Sequence, residues 1–90
     1  MALVKLFGNL RNYAVSPQVD IPGADIAAIL ESLCETNHGL NDALLKDGTI
    51  RPYYRIMING RDIELADGIH TQVNEIDQIA IFPPIAGGQQ

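Results

Sequence analysis

One stretch of this chain has the spacing of a long amphipathic helix, and the patterns on either side leave that helix a single kind of surface to cover. After the turn Pro22-Gly23, Asp25 stands where an N-cap belongs, and Ile26, Ile29, Leu30 and Leu33 recur at i, i+3, i+4 and i+7. Glu31, Ser32 and Glu35 fall mainly on the opposite, wet face, and Asn37-His38-Gly39 supplies a stop in which Gly39 can take a positive φ. The flanking segments instead alternate with a period of two or form short apolar runs, the marks of strands. A lone amphipathic helix among strands lays its stripe on one face of a sheet, because nothing else in the chain is there to cover it.

The strands follow from the same patterns. Residues 2–7 set Val4 and Leu6 against Leu3, Lys5 and Phe7; Gly8-Asn9 breaks the run, and residues 10–14 make a single turn. Residues 15–21 read as a second strand with Val15, Val19 and Ile21 on one face, and Pro17, lacking an N–H, assigns it to an edge. Its closeness to the first strand favours an antiparallel hairpin. Residues 40–45 form a short helix or turn that Asp47-Gly48 ends. Residues 50–59 are the longest strand candidate, with Tyr54, Ile56 and Ile58 on one face and Tyr53, Arg55, Met57 and Asn59 on the other. Asn59-Gly60 is a strong hairpin signal, and residues 62–65 make the return strand before Asp67-Gly68 turns again.

Residues 78–82 are almost all apolar, as a strand covered on both faces would be, so they belong in the centre of the sheet, parallel to residues 2–7. The expected fold is a two-layer α+β domain of the β-grasp type: a mixed sheet packed on one main helix, with an extended C-terminal tail. A chain of 90 residues forms one domain at this size, here a body of about 1–82 and a functional tail over 83–90.

Composition excludes several functions. A net charge of −5, with Lys5, Arg11, Lys46, Arg51, Arg55 and Arg61 scattered, lacks the basic stripe of a nucleic-acid binder and suits a basic protein partner. No apolar run approaches the length of a membrane span, and the opening residues lack a secretory pattern, so the expected compartment is the cytoplasm. The single Cys34 lies on the apolar helix as a small buried hydrophobe. His38 and His70 have no ligand spacing, no phosphate-binding glycine motif is present, and the carboxylate pairs Asp42/Asp47 and Glu75/Asp77 lie in turn-like segments. No nucleophile stands beside a base. No metal and no bound cofactor are expected, and the chain by itself is not a catalyst.

The tail departs from an ordinary terminus. After Ile81-Phe82 come Pro83 and Pro84, then Ile85 and Ala86, then Gly87 and Gly88, then Gln89-Gln90. The prolines fix φ and make a stiff spacer, whereas the diglycine has no side chains and threads where any Cβ would be blocked. A stiff arm with a bare tip suits insertion into a deep enzyme channel.

With Phe82-Pro83-Pro84-Ile85-Ala86-Gly87-Gly88 preceded by residues 74–81, residues 56–61 in the expected place and Val4-Lys5-Leu6-Phe7-Gly8 at the start, the chain resembles the small subunit of molybdopterin synthase and related ubiquitin-like sulfur carriers. The resemblance spans essentially the whole chain. It implies that Gly88 is adenylated by an ATP-using enzyme of the ubiquitin-activating type and converted to a thiocarboxylate that donates sulfur. Gly87 would give the narrow approach, and Pro83, Pro84, Ile85 and Ala86 would position the tip. A molybdopterin-synthase large subunit is a further implied partner. The wording of the tail leans towards molybdopterin or tungstopterin synthesis; thiamine, cysteine and tRNA thiolation are alternative acceptors, and a protein modifier conjugated through Gly88 or a binding-only module are alternative classes.

Two departures stand out. Gln89-Gln90 follows the diglycine, so a peptidase is expected to remove them, and the turn where the family tends to have Asp-Gly-Asp reads Asn74-Glu75-Ile76-Asp77. On the sheet face away from the helix, Met57 and Phe82 are expected to form an apolar docking patch at the root of the tail, with Leu3 as a third member, beside outward Arg55 and Arg61.

Overall fold

The computed structural model describes residues 1–14, 16–46, 49–51 and 54–83. In chain order the elements are β1 (Ala2–Leu6), β2 (Gln18–Ile21), the helices α1 (Ile26–Thr36) and α2 (His38–Leu44), the two-residue strands β3 (Leu45–Lys46) and β4 (Thr49–Ile50), then β5 (Arg55–Ile58), β6 (Arg61–Asp62) and β7 (Gln78–Phe82). Short 3-10 turns follow β1 and β6.

The main sheet is mixed, in the order β2-β1-β7-β5-β6. The last strand occupies its centre, parallel to β1 with Val4 opposite Ile79 and Leu6 opposite Ile81, and antiparallel to β5. β2 pairs antiparallel with β1 at the edge, where a proline's missing donor costs little; Pro17 still accepts through its carbonyl from the Leu6 N–H at 2.8 Å.

α1 covers one face. Its Ile26, Ile29 and Leu33 are fully buried against Val4, Leu6, Ile79 and Ile81 in one core. Burial of each such side chain is worth about 1.5–3 kcal/mol, so the stripe and the strand faces stabilise one another. The Asp25 carboxylate accepts from the Ala28 N–H at 2.8 Å, capping the helix as its position foretold. The helix start is also tied to the chain ahead of β7, since Ile26 N donates to the Thr71 carbonyl and Val73 N to that of Ala24. Cys34 is buried, as expected, and burial pushes its thiol pKa up.

Four local expectations are corrected. Gly39 is not a left-handed stop but lies inside α2, with Asn37 serving as the C-cap of α1; a Cβ on Gly39 would stand 2.8 Å from the Tyr13 ring, so close approach accounts for it. Residues 50–59 are not one strand. β4 folds back on β3, Arg51 N donates to the Leu44 carbonyl and Tyr54 N to that of Arg51, and the sheet strand begins only at Arg55. The apolar alternation runs across Pro52, which has no donor to give a ladder.

The return strand is Arg61–Asp62 rather than 62–65, because the Asp62 carboxylate accepts from the Glu64 N–H at 2.9 Å and turns residues 63–65 into a 3-10 helix. β2 begins at Gln18, after a bend at Ser16 and Pro17, and Val15 lies outside the described residues. So does Asp47-Gly48, the expected end of the short helix, while β3 and β4 form a hairpin that local spacing did not suggest.

Candidate functional site

The root of the tail is built by the paired ends of β1 and β7. Phe7 N donates to the Ile81 carbonyl at 3.1 Å, continuing the parallel ladder one step past Leu6. This brings Phe7 level with Phe82, and the rings stack with centroids 4.4 Å apart and planes 15° from parallel, a geometry worth about 0.5–1.5 kcal/mol beyond area burial. The next residue on each strand is also in contact. Gly8 takes φ +60° and turns β1 off the sheet into its 3-10 helix, and Pro83 lies in the space so opened. A Cβ on Gly8 would lie 2.7 Å from Pro83 Cγ, so both the left-handed backbone and the proximity require glycine.

Around this root the open face of the sheet carries Met57, Ala80 and Phe82, all half-buried. Met57 is opposite Ala80 and Arg55 is opposite Phe82, so Met57 and Phe82 are diagonal neighbours across β5 and β7, as the expected patch requires. Leu3 does not join them. It pairs with Gln78 at the other end of β7, and with strands rising about 3.3 Å per residue it is remote from Phe82; Phe7 takes the third place instead. Arg55 is exposed, as its outward position implies, and pairs with Asp62 of the same chain at 2.7 Å. The Glu64 N–H, and after it Arg55, hold the Asp62 carboxyl below its ordinary value.

The far end of β7 is anchored differently. Asp77 accepts from Asn74 N at 2.8 Å and from the Asn59 side chain at 2.9 Å, while Gln78 N donates to the Asn59 side-chain oxygen and Asn59 N donates to the Gln78 carbonyl. Asn59, at φ +52°, and Gly60, at φ +82°, make the expected tight hairpin. The family-like turn thus closes through Asp77 alone, without a preceding Asp-Gly.

Of the predicted site residues, Met57 and Phe82 are diagonal neighbours and Pro83 packs against Gly8, whereas Pro84, Ile85, Ala86, Gly87 and Gly88 lie outside the described residues, as do Gln89 and Gln90. Phe7 and Gly8 were missed as site residues. Placing residues 78–82 parallel to residues 2–7 and matching the strand ends would have set Phe7 beside Phe82.

The site offers aromatic and aliphatic surface, backbone and a paired arginine. Among the described residues no three of His, Cys, Asp and Glu gather as a metal would need, and no helix is long and apolar enough to cross a membrane. A cavity of about 500 Å³ is lined by Leu30, Cys34, Leu45, Ile50 and Ile69 with Glu31 and Glu35 at α1, and by no residue of β1 or β7. It does not adjoin the tail root.

A five-stranded mixed sheet with one main helix packed on it is the β-grasp fold of the ubiquitin-like proteins. The model of the ThiS family matches residues 4–88, and the chain belongs to that family of ubiquitin-like sulfur carriers and modifiers. It is 35% identical over 65 residues to small archaeal modifier protein 3 of Haloferax volcanii, covering 72% of this chain and 71% of that protein. It is 38% identical over 53 residues to a putative sulfur carrier protein of Archaeoglobus fulgidus, covering 59% and 60%. The solution structure of small archaeal modifier protein 1 from Methanosarcina acetivorans superposes with a TM-score of 0.89 at 31% identity, covering 97% of this chain and 95% of that one.

Proposed function

We propose that this chain is a sulfur carrier that works through Gly88 once a peptidase has removed Gln89-Gln90. In that reading the freed carboxylate attacks the α-phosphorus of ATP on a ubiquitin-activating-type enzyme, pyrophosphate leaves, and the acyl-adenylate carries AMP as a good leaving group. A hydrosulfide-level nucleophile displaces AMP to leave a thiocarboxylate, whose soft sulfur passes to an acceptor; water returns the carboxylate. ATP is consumed by the partner, and the chain itself holds no cofactor and supplies no catalytic side chain. The observation that carries the reading is the extent of the family match, which runs through Gly87 and stops at Gly88.

The face of Met57, Phe7 and Phe82 is the proposed docking surface for the activating enzyme. Exposed apolar patches mark partner surfaces, and this one adjoins the root of the arm. The Phe82-Pro83-Pro84-Ile85-Ala86-Gly87-Gly88 wording favours a pterin acceptor for the molybdenum or tungsten cofactor, delivered on a synthase large subunit.

The test is to incubate a chain ending at Gly88 with the host's adenylating enzyme, ATP and a sulfide source, and to weigh the product. A mass gain matching one oxygen-to-sulfur exchange at Gly88 is expected; adenylation without sulfur gain, or none, would reject the carrier. Supplying the charged chain to pterin precursor, thiazole, cysteine or tRNA acceptors then sorts the pathway. The modifier reading is kept because a relative 35% identical bears that name. Gly-Gly remnants on lysines of host proteins after digestion would favour it.

A further inference from the structure

We infer that Phe7 and Gly8 are positioning residues: a two-residue clamp at the end of β1 that sets the direction in which the tail leaves the sheet. The inference rests on the carrier reading for its purpose, but not for its geometry. Phe7 holds Phe82 by ring stacking at 4.4 Å, and Phe7 N closes the ladder on the Ile81 carbonyl. Gly8, by its left-handed turn and missing side chain, leaves room for the Pro83 ring, which any Cβ would meet at 2.7 Å.

The two residues that follow β1 thus meet the last residue of β7 and the one after it. Pro83 fixes its own φ, so its placement against Gly8 sets the direction in which the chain leaves β7. The reacting carbonyl lies at Gly88, five residues beyond Pro83, and a displacement of about 1 Å at a reacting centre can cost on the order of a hundredfold in rate. Phe7 then has two tasks, since its exposed side belongs to the proposed docking surface while its stacked face holds Phe82, whereas Gly8 serves the direction of the tail alone.

A matched control lies within the chain. Gly68 has φ +59°, nearly that of Gly8, yet a Cβ there meets nothing within 4 Å. Gly8→Ala and Gly68→Ala therefore both place a Cβ at nearly the same positive φ, and only the first meets Pro83. With chains ending at Gly88, ATP–pyrophosphate exchange on the activating enzyme should show kcat reduced about tenfold or more in Gly8→Ala with KM within about twofold, and both constants unchanged in Gly68→Ala. Equal behaviour of the two variants overturns the clamp.

A second measurement needs no enzyme. In the full chain with Cys34→Ala and Gln90→Cys, a nitroxide on the new thiol reports where the tail end lies through relaxation enhancement of body amides. Gly8→Ala should change that pattern by more than about twofold at the sheet-face amides, as should Phe7→Ala, which removes the stack without backbone strain; Gly68→Ala should not. An unchanged pattern in Gly8→Ala and Phe7→Ala refutes the clamp. A wild-type chain that no adenylating enzyme charges refutes the carrier reading instead, and the nitroxide result still judges the clamp.

Discussion

The two faces of the sheet are made by the same strands and differ in what covers them. Inward, Ala2, Val4, Leu6, Ile56, Ile79 and Ile81 are each no more than 3% exposed under α1. Outward, Leu3, Lys5, Met57, Ala80 and Phe82 are half-buried, Arg55 is exposed, and Phe7 keeps 38% of its surface in solvent. The inner face carries the core of the domain. The outer face is less buried, so its residues are less constrained by packing than those under α1.

The largest effect belongs to the inner face. Leu33→Ala, at a fully buried position, should cost about 2–5 kcal/mol in chemical denaturation, which for a domain this small lowers Tm by roughly 10 °C or more. The fraction still folded should be adenylated at Gly88 at the wild-type rate. Phe82→Asp should show the opposite pair of outcomes. Losing half of the Phe7–Phe82 stack removes about 1 kcal/mol beyond the lost burial of a half-buried ring, and the fold should persist, but a charge amid the proposed docking patch should abolish adenylation. Normal charging of Phe82→Asp would end the division of labour between the faces, as would unfolding.

A third variant probes the closed end of β7. Asn59→Ala deletes bonds to Asp77 and Gln78 and places a side chain less tolerant of positive φ at +52°. With net hydrogen bonds worth about 0.5–1.5 kcal/mol each, a loss of roughly 1–2 kcal/mol is expected by urea titration. Adenylation should be unchanged, because the tail root stands at the other end of the strand.

Much of the inner face was legible because its signal is local and repeated. The stripe of Ile26, Ile29, Leu30 and Leu33 has helical period and an Asp25 cap, and the apolar run at 78–82 pointed to a central strand; both hold. Residues 50–54 misled because alternation alone does not distinguish a sheet strand from a short hairpin that folds back on Leu45. Residues 63–65 misled because a single Asp62 hydrogen bond outweighs an apolar pattern three residues long. The outer face was half-read. Met57 and Phe82 followed from strand parity, but choosing Phe7 over Leu3 depends on the register between the first and last strands, which no local window contains.

The smallest expected effect is acid sensitivity. Asp77 is held below the ordinary aspartate value of 3.8 by the Asn74 N–H first and the Asn59 side chain second, and Asp62 likewise by the Glu64 N–H and then Arg55. Each fold prefers the charged carboxylate, so the stability these groups contribute is fully present above 3.8 and is lost as pH falls through the lowered folded values. Both act near solvent, where screening keeps the contribution small. Tm should therefore stay flat from neutral pH down to the ordinary aspartate range and then decline, with Asp77→Asn flattening part of the decline. Amide exchange locates it: protection at Asn74, whose N–H meets the Asp77 carboxylate, should fall in that range before protection at Phe7, whose partner is the backbone carbonyl of Ile81. Simultaneous loss at both amides would mean that the two ends of β7 are not independent, and would remove the ground for treating the tail root as a separately adjustable device.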